Sequence, residues 1–342
     1  MINETVKNYD PQNQFDVLIN SYAQIEKAWN TEFSSEGIDT EKIKNIIVSG
    51  LGGSAIGGDL IADFLSEEFP YPYYVNRNYG LPAFADENTL VIASSYSGNT
   101  EETLSAAEEA LKRGAQITCV TTGGKLLAFA REHELPYFIM QSGFQPRYAL
   151  YSSFFALLKI FQTLGIAKNH DEIVGRIISL IKNKGEEYSG ENNKALSLAE
   201  SLLGFVPVIY GVANKTATIA VRMKGQFNEN SKSHAFFNVL PEMNHNEIIG
   251  WETFDEAQFR AKVIMINDTS YHPQIGKRIT ITSELIKKAG AEVLNFQSDE
   301  EEFKIRIFDL VYLGDWISYY LAVLRKHDPS EIDNIVYLKN NL

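Results

Sequence analysis

Residues 44–64, KNIIVSGLGGSAIGGDLIADF, pass from a short β-branched run through a glycine-rich turn into a helical pattern, and this passage decides the fold. The continuous apolar run Ile46, Ile47, Val48 suits a strand buried on both faces, as in a parallel sheet. The small residues that follow let a backbone turn tightly and approach a ligand. A second passage repeats the plan: TLVIAS at 89–94 leads through SYSGNTEET at 95–103 into a helical pattern that Gly114 stops.

Working outward, strands are predicted at 44–49, 73–76, 89–94, 116–121 and 137–141, with helices at 55–68, 100–113 and 125–134. A long helix is expected over 147–164, followed by Gly165. The rhythm restarts with strands at 206–211, 261–266 and 292–297 and helices at 214–228, up to Gly290, and at 301–326. Alternation of this kind predicts an α/β protein with doubly wound parallel sheets flanked by helices. A chain of 342 residues is long for one core and comfortable for two. The polar stretch 167–172 is the expected boundary, giving domains 1–166, with a leading helix, and 167–342. The halves look alike in plan, without a residue-level repeat. Residues 227–252, FNENSKSHAFFNVLPEMNHNEIIGWE, break the rhythm and read as a long polar loop or an active-site insertion.

The formal net charge of −13 argues against nucleic acid, whose binding draws on clustered Lys and Arg. No basic leader precedes an apolar run at the start, and no segment is read as approaching the roughly 20 apolar residues that span a bilayer. Cytoplasmic residence is the expectation. Cys119 is the only cysteine, which leaves no intrachain disulfide and no cysteine-based zinc site; in QITCVTT it reads as a core residue.

Both loops suit an anion, because a helix start offers unpaired N–H groups and the positive end of the macrodipole. The blander alternative is that Thr100, with Glu102 and Thr103, merely caps an ordinary helix. Gly50-x-Gly52-x-x-Ala55 also meets the loose dinucleotide fingerprint, but the second strand ends Val75-Asn76-Arg77-Asn78, without the acid that would hold a ribose. Aldose–ketose isomerisation needs a base to carry a proton between C2 and C1, a ring-opening group, and a cation for the developing oxyanion. Glu229, His245, Arg147 and Lys339 are candidates; each reads equally as a solvated or structural residue, and His234 competes with His245.

GLGGSAIGGD and SSYSGNTEET resemble the paired phosphate loops of sugar isomerase (SIS) domains. RMKGQFNENSKSHAF at 222–236, followed by PEMNHNEIIGWE at 241–252, resembles the signature of bifunctional phosphoglucose/phosphomannose isomerases, and the likeness continues through YLGDWISYYLAVL to IVYLKNNL. The resemblance implies two SIS domains, each with a five-stranded parallel sheet, and interconversion of glucose 6-phosphate or mannose 6-phosphate with fructose 6-phosphate, with no metal and no cofactor. It further implies that Gly53, Ser54, Ser95, Ser97 and Thr100 hold the phosphate and that Arg147 stabilises the enediolate. Glu229 would shuttle the proton, His245 would open the ring from the neighbouring subunit of a homodimer, and Lys339 would lie near the sugar. Ser231 stands where the family pattern leads one to expect a residue such as Ala. The alternatives are a SIS-type regulator that only binds sugar phosphate, although no helix-turn-helix is visible, and an isomerase of an amino-sugar or heptose phosphate.

Overall fold

The computed structural model describes residues 2–341. It divides into an amino-terminal unit, Ser21–Ile178, and a carboxy-terminal unit that joins the residues up to Asn20 to those from Ser179 onward. In chain order α1 (Ile2–Tyr9) and α2 (Gln14–Ile19) come first and belong to the carboxy-terminal unit. The amino-terminal unit follows with α3 (Ser21–Trp29), β1 (Asn45–Ser49), α4 (Gly52–Phe64), β2 (Tyr73–Asn76), β3 (Thr89–Ser95), α5 (Glu101–Lys112), β4 (Gln116–Thr121), α6 (Gly124–Glu132), β5 (Tyr137–Ile139) and α7 (Leu150–Thr163). The chain then runs through α8 (Asp171–Ser189) into α9 (Lys194–Ser201), β6 (Val206–Val212), α10 (Ala217–Glu229), β7 (Phe236–Leu240), β8 (Ala261–Ile266), α11 (Pro273–Lys288), β9 (Glu292–Phe296), α12 (Phe303–Leu324) and α13 (Asp333–Lys339).

The amino-terminal sheet is parallel throughout, in the order β2-β1-β3-β4-β5. Every residue of β3 is buried, as a central parallel strand covered by helices on both faces requires. Ile47, Val91, Ala93, Ile117 and Cys119 share one side of the sheet with Ala106, Ala107 and Ala110 of α5. The small alanine face lets that helix lie close.

The carboxy-terminal sheet is also parallel but has four strands, β7-β6-β8-β9, where the resemblance implies five. β7 falls inside 227–252, so that region is neither a plain loop nor an insertion: FFNVL supplies an edge strand, and the 3-10 turns Glu242–His245 and Glu247–Thr253 follow it. Its signal is hidden because the run is only five residues long between polar flanks, and as an edge strand it leaves Phe236 and Phe237 exposed. α12 is long and apolar enough to cross a membrane, with mean hydropathy 1.3 in its most apolar window, which corrects the expectation that no segment approaches that length. That window is 89% buried, and α12 is the unit's core helix, largely apolar because it is surrounded, with Arg306, Asp315 and Ser318 buried along it.

The domain limits also differ from 1–166 and 167–342. Asp10 accepts hydrogen bonds from the Gln14 and Phe15 amides and from Tyr319 Oη, each at 2.8 Å, and Leu18 O accepts from Tyr312 Oη at 2.7 Å. The leading helices are thereby fastened to α12. The polar stretch after Gly165 stays with the amino-terminal unit, since His170 is buried against the Phe64 ring and Asp171 accepts from Trp29 Nε1 at 3.0 Å.

Candidate active site

In the order β2-β1-β3-β4-β5, the chain leaves β1 toward one edge of the sheet and β3 toward the other. A crevice forms where such connections diverge, beyond the carboxyl ends of the strands. Both loops singled out in the sequence begin there. They touch: a Cβ on Gly50 would lie 2.7 Å from Ser94 O. A Cβ on Gly53 would lie 2.8 Å from Pro146 O and 4.0 Å from Arg147 Cα, so the first loop also abuts the turn that carries the arginine. Tyr96 Oη donates to Gln141 O at 3.0 Å and accepts from the Phe144 amide at 2.9 Å, which ties the second loop to the segment leading into that turn. Residues 50–54, 95–100 and 141–148 therefore converge.

Within the second loop, Ser95 Oγ meets Thr100 Oγ1 at 2.8 Å and accepts from the Gly98 amide at 3.1 Å, while Ser97 Oγ accepts from the Asn99 amide at 3.3 Å. Thr100 occupies the N-cap position of α5 but makes no side-chain cap, because its hydroxyl is turned to Ser95. This disposes of the plain capping reading. Neither α4 nor α5 has a side-chain cap, and their first amides are left for water or an anion. Ser54 and Ser95 are buried and Ser97 is exposed, a gradient from floor to rim. Arg147 lies in a 3-10 turn, Pro146–Tyr148, ahead of α7 rather than within a helix starting at 147. It is 4% exposed, with its guanidinium carbon 5.5 Å from the centre of the Tyr148 ring.

Sequence reasoning missed the collar around this loop. Gly98 sits at φ +67, and a Cβ there would come within 1.8 Å of Gly123 O. Leu126 N donates to Gly98 O at 2.8 Å, Lys125 N to Asn99 Oδ1 at 3.1 Å, and Thr122 Oγ1 to Tyr96 O at 2.7 Å. The signal was available: Gly123-Gly124 follows the strand at 116–121 as a third strand-to-helix turn.

In the carboxy-terminal unit, α10 leaves the carboxyl end of β6 and returns the chain to the start of β7, parallel to β6. Glu229, the last residue of α10, is half-buried at the amino-terminal end of that sheet. His245 follows β7 and lies at the opposite end, exposed. A five-residue strand separates its ends by about 13 Å. The two residues are therefore not brought together in one chain. His234, also exposed, precedes β7 and sits at the Glu229 end. So does the start of the chain's last segment: Arg325 Nη2 donates to Lys232 O at 3.3 Å, and Lys232 Nζ donates to Asp328 O. From there the chain enters α13, whose Ile335, Val336, Tyr337 and Leu338 are exposed, as is Lys339.

The His245 segment is exposed but not slack. Glu247 accepts from Tyr210 Oη at 2.5 Å and from Asn238 Nδ2, and Tyr210 Oη in turn accepts from Trp251 Nε1 at 2.9 Å. Burial, and then the Glu247 carboxylate, push the Tyr210 phenol well above its ordinary range, so it stays a donor. On the other flank Asn244 Nδ2 donates to Thr282 Oγ1 at 2.9 Å. The fold presents this histidine outward from a braced turn.

Two doubly wound parallel sheets, with a hydroxyl-lined strand-to-helix loop on one, define a protein of two SIS domains. The general SIS model matches residues 41–164, and the model of the bacterial phospho-glucose isomerase C-terminal SIS domain matches 191–342. The bifunctional phosphoglucose/phosphomannose isomerase of Caldicellulosiruptor bescii is 42% identical over 96% of this chain and 98% of its own, and that of Aquifex aeolicus 36% identical over 94% and 98%. A hypothetical protein from Thermus thermophilus, solved by crystallography, superposes with a TM-score of 0.75 over 99% of this chain and 92% of its own; at 14% identity it speaks for the fold alone. The chain belongs to the bifunctional phosphoglucose/phosphomannose isomerase family.

Proposed function

We propose that this enzyme interconverts glucose 6-phosphate and mannose 6-phosphate with fructose 6-phosphate, holding the phosphate on Ser54, Ser95, Ser97, Thr100 and the Gly53 amide. The convergence of 50–54, 95–100 and 146–148 at the switch point of the amino-terminal sheet carries the reading. Amides and hydroxyls suit this site because a chain of charge −13 does not steer anions by its overall field. We also place the reaction in the cytoplasm, where a single buried thiol needs no partner.

In the open-chain aldose the Glu229 carboxylate takes the C2 proton, and the bond electrons move through C1 onto O1. Arg147 stabilises the resulting enediolate. Glu229 then returns the proton to C1 while the O2 hydroxyl gives up its own and becomes the ketose carbonyl; O1 takes a proton, so the balance closes. Glucose and mannose differ only at C2, so both give the same enediolate, and accepting both requires delivery to either face of that carbon. Lys339 lies near the sugar hydroxyls.

His245 opens the ring from a second copy of the chain. Its place at the sheet end opposite Glu229, on a braced and exposed turn, supports this assignment. A second reading has a specific observation behind it: His234 shares the Glu229 end and could act within one chain. Mixing the inactive Glu229→Gln and His245→Ala proteins decides between them. Random exchange into dimers would place one intact site in each heterodimer and recover about a quarter of the parent rate. No recovery with heterodimers demonstrated, together with an inactive His234→Ala, transfers the role to His234. A substrate panel that includes glucosamine 6-phosphate tests the sugar assignment.

A further inference from the structure

The two asparagines that flank Glu229 are engaged by the protein itself. Asn228 Oδ1 accepts from the Ala235 amide at 3.1 Å, closing the turn that follows α10. Asn230 is fully buried and donates from Nδ2 to Ser318 Oγ of α12 at 2.9 Å, while Ser231 Oγ, also fully buried, donates to Ser318 O at 2.7 Å. The hydroxyl of Ser231, absent from the Ala expected there, is thus in use. Ser318 Oγ passes its own hydrogen to Asp315 O at 2.8 Å. One turn back along both helices, the Asp315 carboxylate accepts from Arg222 Nη2 and Gln226 Nε2, each at 2.9 Å. The helices lie close, since a Cβ on Gly314 would come within 2.7 Å of Met223 Cγ.

Arg222, Gln226, Asn230, Ser231, Asp315 and Ser318 are 0–4% exposed, whereas Glu229, at the end of the line, is only half-buried. A helix pair so enclosed is held as well by apolar packing, and a buried ion pair is weak support for stability. What the polar line supplies is register, since Arg222, Gln226, Asn230 and Ser231 each fit only one rotation and one height of α10 against α12. Both parameters fix where a carboxylate at position 229 emerges. We propose that Asn230, Ser318 and Asp315 are positioning residues that set the reach of Glu229 to the sugar carbons. The inference rests on Glu229 being the proton carrier, and the test separates the two.

Asn230→Ala and Ser318→Ala remove opposite ends of one hydrogen bond, and Ser318→Thr keeps the hydroxyl. Each alanine variant should lower kcat on fructose 6-phosphate about 10-fold to 100-fold at nearly constant KM, the usual consequence of a reacting group displaced by about 1 Å. Ser318→Thr should recover most of it. Run in deuterated water, the alanine variants should also incorporate more solvent deuterium per turnover than the parent, because a misplaced carboxylate returns its proton more slowly; that ratio does not depend on how much of the sample is folded. Adding Asn230→Ala to Glu229→Gln should cause no further loss. The inference falls if the alanine variants keep the parent kcat and exchange ratio, or if their losses multiply with that of Glu229→Gln. A Glu229→Gln protein that turns over at the parent rate overturns the proton-carrier reading itself, and the inference with it.

Discussion

Replacing Gly98 by alanine tests the claim that the hydroxyl loop is a rigid anion cradle held by its neighbours. Position 98 has φ +67, in the left-handed region, where a side chain costs about 1–2 kcal/mol. The larger effect is steric. The new Cβ would meet Gly123 O at 1.8 Å and Thr121 Oγ1 at 2.8 Å, and since real Cβ contacts essentially never fall below 3.0 Å, one backbone must move by more than about 1 Å. Such a shift breaks the Leu126 N to Gly98 O bond of 2.8 Å and the Thr121 Oγ1 to Gly123 O bond of 2.9 Å, each worth about 1 kcal/mol. The total is about 3–4 kcal/mol. Gly37→Ala is the control: φ is +88 and nothing lies within 4 Å, so it carries only the conformational cost. Urea unfolding midpoints compare the two stabilities, and inhibition by inorganic phosphate reads the cradle. Gly98→Ala should unfold at distinctly lower urea than Gly37→Ala and bind phosphate about 10-fold to 100-fold more weakly, the loss of one or two hydrogen bonds to a charged group. Equal midpoints with unchanged phosphate inhibition would refute both the steric reasoning and the location of the site.

If, as proposed, the Arg147 cation acts on the enediolate rather than on the phosphate, Arg147→Ala should lower kcat on fructose 6-phosphate by about 100-fold or more while phosphate inhibition changes little; steady-state kinetics with inhibition separates the two effects. Burial raises the Cys119 thiol to about 12, so the native protein should resist thiol reagents at pH 8 and react stoichiometrically once unfolded, as a colorimetric thiol assay would record. Asp268 is buried, which alone would push its carboxyl up, but hydrogen bonds from Arg306 and Ser270 outweigh this and hold it below the ordinary 3.8. Its folded pKa is depressed, so its contribution is complete above about pH 4 and fades as pH falls through the lowered value. Melting temperatures measured from pH 6 to pH 2 should show an acid limb that Asp268→Asn flattens.

The amino-terminal unit was legible because each central strand is covered on both faces and so reads as an unbroken apolar run: TLVIAS at 89–94 could be little else. Gly50, Gly53 and Gly98 marked close approaches, and their neighbours Ser94, Pro146 and Gly123 now say to what. β7 was missed for a different reason: at the edge of its sheet it is a five-residue run, FFNVL, that buries little and is set between polar flanks. The division of the chain was misplaced because the cue for it was polarity. The leading helices are fastened by Tyr319 reaching Asp10 and Tyr312 reaching Leu18 O, across 309 and 294 residues of sequence, which no local composition reports. At Glu229 the motif was readable, but the work of its asparagines was not, since their partners lie on α12.

The two units share a plan and use opposite ends of it. In the amino-terminal unit the proposed phosphate-holding groups gather beyond the carboxyl ends of β1 and β3, where diverging connections open a crevice in a doubly wound sheet. In the carboxy-terminal unit Glu229 lies at the far end of the helix after β6, and so at the amino-terminal end of the strands, away from the switch point. A copied anion site would have kept a small, hydroxyl-rich turn after β6; the turn there is Ala213-Asn214-Lys215-Thr216, and Thr216 Oγ1 instead accepts from the Val212 amide at 3.0 Å. That accounts for an architecture that repeats while the sequence does not. On the proposed mechanism, the loop that would bind phosphate in one half is freed in the other to close a turn, and the proton carrier sits instead on a helix end, away from the switch point, that side chains must fix. The buried line from Arg222 to Ser318 is what such a helix end requires.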